Sequence, residues 1–262
     1  MEFVDIHSHF LPEIDDGARS WEESLEMARI AVADGIRRII VTPHQLGVYQ
    51  DNSAQTIIDK TRQFQRLLHE HAIGLEVLPG ADVRVEADLV ERIKSGDVLT
   101  LGGHGKHVLL ELPHEMYVPI EGLVASLLQI GVVPILSHPE RNEGIIDQPK
   151  LLEPLLRLGC LMQVTAGSLL GAFGPDAERT SRWLASRRWI HFLATDAHRA
   201  DSRRPLMRRA WQRLTELTDQ VYANQVCSTN PLAVFLGRPV PMRAARSGGR
   251  RGRWWNWWRR AA

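Results

Sequence analysis

Histidines and carboxylates recur in this sequence where short apolar runs end. The residues that share this placement are His7, His9, His44, His138 and His198, with Asp82, Glu111 and Asp196. Imidazole and carboxylate groups that converge from separate strands can bind metal ions. His7 and His9 are two residues apart, as are Asp196 and His198, so each pair can point to one side of an extended chain and hold one ion.

A single pair of this kind is a weak signal, because a lone histidine at such a place is more often a structural residue. The repetition at equivalent places is harder to explain by structure. A core built from so many ionisable groups would be costly without ions to neutralise it. The sequence therefore predicts a metal centre.

The elements that position these side chains are strands alternating with helices. The predicted strands are Phe3–Ile6, Arg38–Thr42, Glu76–Pro79, Val108–Leu112, Val133–Ser137, Met162–Thr165 and His191–Thr195. Ser20 and Glu23 form a capping-box pattern that opens a helix, and Gly35 can end it. Further helices are predicted over 54–71, 120–130, 149–158, 175–187 and 203–217. Such alternation favours a parallel sheet, and seven strands can close a barrel whose active site lies at the carboxyl ends of the strands.

The chain has 262 residues, which suits one α/β barrel. Its two cysteines, Cys160 and Cys227, do not require a disulfide framework, which favours a reducing, cytoplasmic setting. The first residues lack the positive charge of a signal peptide, and no apolar run approaches the roughly 20 residues that span a bilayer.

The composition changes after Met242, so the barrel is predicted over 1–242 and a separate basic tail over 243–262. The tail holds seven arginines, no acidic residue and four of the eight tryptophans. Without those arginines, 25 basic residues face 31 acidic ones, so the body has a net charge near −6 and does not resemble a nucleic-acid binder. Two interpretations of the tail stay open: a disordered extension, or a peripheral contact with anionic lipid or a membrane-bound partner.

The order of several motifs carries a family resemblance. The motifs are HSHFLPEIDDGA, VTPH, LPGADV, LLELP, LSHPERN and ATDAHR, with SWEESLEMARIAVADGI after the first and TNP near the end. Together they resemble the polymerase-and-histidinol-phosphatase (PHP) superfamily, and within it the bacterial protein-tyrosine phosphatases of capsule and exopolysaccharide loci. The resemblance runs from about residue 3 to residue 240.

The resemblance implies a distorted (β/α)7 TIM-like barrel and three divalent metal ions, usually manganese or iron and sometimes zinc or magnesium. The implied ligands are His7, His9 and Asp196 for the first ion, Glu111 and His138 for the second, Asp16, His44 and His198 for the third, and Asp82 as the bridge between the first two. The family branch usually has glutamate where this chain has Asp82. Asp15, beside Asp16, is interpreted as a turn or cap residue.

The resemblance also implies that Arg141 and Arg203 hold the substrate phosphate, and a guanidinium group suits that role because it binds phosphate oxygens bidentately. Both arginines could instead be solvated loop residues, and Arg204 makes the alignment at Arg203 ambiguous. A metal, His44 or His198 would assist the leaving group. Neither cysteine begins the Cys-x5-Arg pattern of cysteine phosphatases, because Ala166 and Ala233 stand where the arginine should be.

The implied function is a metal-dependent protein-tyrosine phosphatase acting on a membrane-anchored bacterial tyrosine kinase that regulates capsule or exopolysaccharide synthesis. The main alternative is a PHP phosphatase for a small molecule such as histidinol phosphate or a nucleotide. An amidohydrolase-like barrel is disfavoured because no lysine stands in the strand-end motifs. A regulatory binding module is disfavoured because the ligand set is full.

Overall fold

Nine short strands, all paired in parallel, form the centre of the computed structural model, which describes residues 1–241. The strands are β1 Phe3–Asp5, β2 Ile36–Val41, β3 His44–Gln45, β4 Glu76–Pro79, β5 Asp82–Arg84, β6 His107–Glu111, β7 Val133–Ser137, β8 Leu161–Thr165 and β9 Phe192–Ala194. They form two sheets, with the orders β1-β2-β4 and β3-β5-β6-β7-β8-β9.

Seven of the nine strands overlap the seven predicted ranges, and β3 and β5, which the sequence did not predict, follow bends after β2 and β4. Pro43 separates β2 from β3, and its missing N–H and fixed φ favour a break in the strand. Gly80 lies between β4 and β5, where a Cβ atom would stand 2.7 Å from Cγ2 of Ile40. Beyond the two bends, His44 and Asp82 become direct partners in the register of β3 and β5.

The last strand meets the first beyond their carboxyl ends. Ser8 and Ala197 form a parallel bridge, and the backbone N–H of His9 donates to the carbonyl of Ala197 at 2.8 Å. The backbone N–H of Asp196 likewise donates to the carbonyl of His7 at 2.8 Å. The architecture is the distorted TIM-like barrel of the predicted class. The contacts between the ends of β1 and β9 bring the His7–His9 and Asp196–His198 motifs together.

Ten α-helices are assigned in residues 1–241: α1 Trp21–Asp34, α2 Ala54–Glu70, α3 Leu89–Ser95, α4 Glu121–Gln129, α5 Glu143–Asp147, α6 Leu152–Leu158, α7 Gly174–Ser186, α8 Arg208–Leu217, α9 Gln220–Asn224 and α10 Asn230–Phe235. The predicted ends of α1 are confirmed. The Ser20 side chain accepts from the Glu23 N–H, and Gly35 has the left-handed φ of 105°. The predicted start of α8 at Arg203 is wrong, since the residue before Pro205 is disfavoured in a helix.

Alternation along the strands divides the core into two layers. In β6, Leu109 belongs to the smaller cluster inside the barrel, whereas Val108 and Leu110 belong to the larger cluster under the helices. Glu111 is two residues after Leu109 and therefore shares its inward face. Gln163 in β8 shares a face with the interior residue Leu161 in the same way.

Three further predictions concern the basic tail, membrane-spanning segments and the two cysteines. The basic tail over 243–262 lies outside the described residues. Within residues 1–241, no helix combines the length and apolar character needed to cross a membrane. Cys160 and Cys227 are both buried free thiols.

Candidate active site

The structure brings all nine predicted ligands together at the carboxyl ends of the strands. They are His7 and His9 after β1, Asp16 in the following loop, His44 in β3, Asp82 in β5, Glu111 at the end of β6, His138 after β7, and Asp196 and His198 after β9. Seven are buried, His44 is partly exposed, and the Asp16 side chain is 51% exposed. Asp16 and His44 therefore mark the side of the cluster that is open to solvent.

The spacing between imidazole nitrogens and carboxylate oxygens indicates how the cluster can bind. Ten such pairs among the nine residues lie 3.3–3.9 Å apart. These distances exceed the roughly 2.7–3.2 Å of a good hydrogen bond. Two ligands that are each about 2.1 Å from one ion lie about 3–4 Å apart, so the gaps are of the size that a shared cation requires.

His7 and His9 give the most specific indication of a cation. Nδ1 of His7 faces Oε1 of Gln163 at 2.7 Å, and Nδ1 of His9 faces Oδ2 of Asp15 at 2.7 Å. Each Nδ1 atom donates to its oxygen, which leaves a lone pair on each Nε2 atom. The two Nε2 atoms are 3.3 Å apart. Two lone pairs at this distance repel unless a positive charge lies between them, as a metal ion or a proton would.

The Asp82 carboxylate is buried and neither of its oxygens has a hydrogen-bond partner in residues 1–241. Burial, together with the charge of Glu111, raises the pKa of Asp82 well above its usual range. A charged carboxylate without a partner is unfavourable in a protein interior. Coordination to cations would satisfy both oxygens, so the donor set fits the metal ions that the sequence implies.

His7 and His9 have very different pKa values because their surroundings differ. Burial lowers the pKa of His7 to about 3. Burial also opposes charge on His9, but Asp15 and Asp196 outweigh it and raise the pKa to about 10. The protein therefore favours one positive charge at the place where the two Nε2 atoms meet.

Asp15 is a residue whose role the sequence interpretation missed. Its buried carboxylate accepts from Nδ1 of His9 at 2.7 Å and from the backbone N–H of His44 at 3.1 Å. It also accepts from the Gly17 N–H at 2.8 Å, so the predicted turn contact exists as well. Carboxylates that orient the outer nitrogen of a histidine are common around metal centres. The adjacent acids of the IDDG motif were the available signal.

The two predicted phosphate-binding arginines also converge. Nη1 of Arg141 and Nη2 of Arg203 both lie 2.5 Å from Oδ2 of Asp196. The guanidinium carbons stand 4.4 and 5.6 Å from the ring centroid of Phe173, within cation–π range. Oδ1 of Asp196 faces His7 and His9 at 3.4 Å. Asp196 thus joins the arginine pair to the histidine cluster.

Backbone strain is concentrated at this site. Seven non-glycine residues in 1–241 have positive φ, and three of them are site residues: His138 at 30°, Asp196 at 52° and Arg203 at 22°. Such conformations cost about 1–3 kcal/mol each and persist only where the surrounding structure enforces them. The strained backbone therefore lowers the stability of the fold and orients these three side chains.

Three further side chains at the mouth were absent from the sequence prediction. Arg84 lies 3.6 Å from Oε2 of Glu111, and His114 lies 3.7 Å from Oε1 of the same carboxylate. The ring of Tyr49 stacks on His44 with 5.3 Å between centroids. These residues stand in or beside loops. Their only signal in the sequence is nearness to a motif, such as His114 three residues after Glu111.

Comparisons with known proteins show which proteins the chain is similar to. The family model described as "Capsular polysaccharide synthesis, CpsB/CapC" matches residues 3–236. The chain is 39% identical over 203 residues to tyrosine-protein phosphatase YwqE of Bacillus subtilis (strain 168), covering 76% of this chain and 79% of YwqE. It is 25% identical over 243 residues to tyrosine-protein phosphatase CpsB of Streptococcus pneumoniae, covering 90% of this chain and all of CpsB.

A solved structure extends the likeness to the fold. The crystal structures of YwqE from B. subtilis and CpsB from S. pneumoniae are described as "unique metal-dependent tyrosine phosphatases". The matched chain superposes with a TM-score of 0.86 at 33% identity and covers 90% of this chain and 96% of its own length. The similarity thus extends over most of the fold.

Proposed function

This chain belongs to the CpsB/CapC capsular polysaccharide synthesis family, and from that premise we propose that it is a metal-dependent hydrolase that removes phosphate from tyrosine in proteins. One observation carries the proposal: a buried cluster with cation-sized gaps lies directly beside two converging arginines. A metal centre next to guanidinium groups is suited to bind and hydrolyse a phosphate ester.

We propose that the nine clustered residues hold three divalent ions, with manganese as the expected metal. His7, His9 and Asp196 would hold one ion, Glu111 and His138 a second, and Asp16, His44 and His198 a third, and the first two would share Asp82. Groups of three or four of these residues have ligand atoms within 4.8 Å of one another, which supports the arrangement. Such ions, when bound, neutralise phosphate charge and lower the pKa of an attacking water.

The side chains around the ions have separate tasks in this proposal. Arg141 and Arg203 hold the phosphate oxygens and stabilise charge as the ester bond breaks. Asp196 keeps both guanidinium groups in place before substrate arrives, since it contacts both. A metal ion, His44 or His198, on the side of the centre near exposed Asp16, would assist departure of the tyrosine phenolate.

The surface around the centre supports a protein substrate. Val48, which is 92% exposed, lies in the loop after β3, and Met116, which is 58% exposed, lies in the loop after β6. Tyr49 presents an aromatic ring beside His44. Exposed apolar groups around a charged centre are suited to contact a peptide that flanks a phosphotyrosine.

We further propose that the substrate is a membrane-anchored bacterial tyrosine kinase and that the protein acts in the cytoplasm, at the inner face of the membrane. The support is the Arg- and Trp-rich composition of 243–262. Tryptophan favours the bilayer interface, and arginine favours anionic headgroups.

The substrate class can be tested with purified, manganese-loaded protein and three substrates: phosphotyrosine peptides, phosphoserine peptides and histidinol phosphate. The proposal expects hydrolysis of the phosphotyrosine peptides with the highest kcat/KM, loss of turnover in excess chelator, and recovery on adding manganese. Thiol alkylation should leave turnover intact, because Cys160 and Cys227 are buried and burial raises the pKa of both thiols. Preference for histidinol phosphate would favour the small-molecule alternative, and full activity without metal would refute the mechanism.

A further inference from the structure

His114 is one of three residues of the mouth that neither the motifs nor the proposed ligand set accounts for. It lies in the loop between β6 and α4, three residues after Glu111, and its side chain is 41% exposed. Its ring stacks on His138 with 5.0 Å between centroids and an angle of 21°. His138 is a proposed ligand of the second ion, so His114 lies at the edge of that ion's site.

The distances at this edge match those of the proposed ligands. Nε2 of His114 and Nε2 of His138 are each 3.7 Å from Oε1 of Glu111. This separation is too long for a good hydrogen bond. It is the same for His114 as for His138, which is already a proposed ligand of the second ion. The ligand atoms of Glu111, His114 and His138 also lie within 4.8 Å of one another. One ion can therefore contact all three.

We propose that His114 is an additional ligand of the ion held by Glu111 and His138. The inference rests on the metal centre of the proposed function and adds to it a ligand that the family resemblance does not supply. With His114, the second ion has two imidazole nitrogens and the carboxylates of Glu111 and Asp82. Its donor set then suits manganese, iron, cobalt or zinc better than magnesium, which prefers oxygen ligands.

The position of His114 explains why it can act without disturbing the fold. The other proposed ligands of the second ion are buried, whereas His114 is partly exposed on a loop. Removal of the imidazole should weaken one ion and leave the barrel folded.

The test is a titration of three proteins with Co²⁺, Mn²⁺ and Mg²⁺: wild type, His114→Ala, and His69→Ala as a matched control. His69 is an exposed histidine near the end of α2. The visible spectrum of Co²⁺ reports its coordination, and elemental analysis after gel filtration counts retained ions. We expect His114→Ala to weaken the binding of one ion at least about tenfold, as loss of a metal-site interaction does. The variant should also change the Co²⁺ spectrum. The same variant should lose less Mg²⁺ affinity than Mn²⁺ affinity, and His69→Ala should match wild type.

Wild-type metal affinity and spectrum in a folded His114→Ala protein would overturn the inference, including the case in which only KM for a phosphotyrosine peptide rises. That case would make His114 a substrate contact. The titration does not depend on turnover. Metal binding by wild type without phosphotyrosine hydrolysis would therefore refute the proposed function and leave the His114 result valid. Absence of metal binding by wild type would refute both.

Discussion

Histidines at the two ends of the barrel strands have different surroundings. At the amino ends, His107 begins β6 and His191 immediately precedes β9. Burial lowers the pKa of each to about 4, and neither forms an ion pair with a carboxylate of residues 1–241. Nδ1 of His191 accepts a hydrogen bond from the Met162 N–H at 3.0 Å. At the carboxyl ends, by contrast, every clustered histidine faces carboxylates.

The contrast shows that carboxylate neighbours, and not residue type, burial or pKa alone, distinguish the clustered histidines, since burial lowers the pKa of His7 to about 3 although it faces Asp82 and Asp196. His191 and His9 both lose solvent, but only His9 has Asp15 and Asp196 beside it, and its pKa rises to about 10. An isolated imidazole stays neutral and satisfies one backbone group. An imidazole among carboxylates lies where a cation is stabilised. Changes at the two ends should consequently affect different observables.

The largest expected effect of a single change concerns Arg141, which separates phosphate binding from metal binding at the carboxyl ends. Arg141→Ala should retain the metals and lower kcat/KM by an amount equivalent to about 2–4 kcal/mol, as for other preorganised charge donors. Steady-state kinetics on an aryl phosphate and elemental analysis measure the two properties. Unchanged kcat/KM would make Arg141 an ordinary surface residue.

A smaller effect is expected at Asp15, which orients His9. Asp15→Ala should weaken metal binding about 10–100-fold, because outer partners of ligating histidines typically contribute that much. Asp15→Asn, whose side-chain oxygen can still accept from Nδ1 of His9, should recover part of the loss. Competition with a chelator of known affinity measures both variants. Wild-type affinity in Asp15→Ala would return Asp15 to the turn role given to it from the sequence.

The outcome at Asp15 illustrates which parts of the site the sequence could predict. The seven strand positions and the convergence of His7, His138 and His198 follow from apolar runs that end in polar residues, since parallel strands end at one face. The contact between Asp15 and His9 depends on how the loop after β1 folds back, and no periodic pattern encodes it. The same holds for His114, which lies in a loop, and for Arg84, which ends β5.

The bends in two strands were unforeseen for a related reason. Pro43 and Gly80 are visible in the sequence, but their effect depends on a neighbouring strand. At Gly80 the decisive contact is with Ile40, which is 40 residues away in the chain. Likewise, Arg141 and Arg203 could be proposed as phosphate ligands, whereas their shared contact with Asp196 follows only from the folded arrangement of the strands.

At the amino ends, the expected effect is on stability alone. Because burial lowers the folded-state pKa of His191, its contribution is complete above the unfolded pKa near 6.5 and is lost as pH falls towards about 4. Between pH 6.5 and 5.5 the wild type should lose about 1 kcal/mol more unfolding free energy than His191→Asn, which keeps an acceptor but does not titrate. Denaturant unfolding at both pH values measures this. Equal losses of unfolding free energy in wild type and His191→Asn would contradict the contrast between the two ends of the strands. Altered metal content in the variant would also contradict it.

The smallest effect on chemistry is expected from removing the basic tail, residues 243–262. Residues 1–242 should fold and hydrolyse a small aryl phosphate at the wild-type rate, because the metal motifs end at His198. The full chain should bind anionic vesicles better than the shortened chain, and salt should weaken the difference. Equal co-sedimentation of the two proteins would exclude a membrane role for the tail. Loss of aryl phosphatase activity would place the domain boundary elsewhere.

The most direct measurement of the metal centre is elemental analysis of a His7→Ala/His9→Ala double variant beside wild type and His191→Asn. Nε2 of His7 and Nε2 of His9 meet 3.3 Å apart, so their joint removal eliminates one proposed ion-binding position. The expected result is a folded double variant that has lost bound metal and phosphatase activity, while His191→Asn keeps the wild-type content of both. Wild-type metal content in the double variant would contradict the assignment of the centre to the carboxyl ends of the strands.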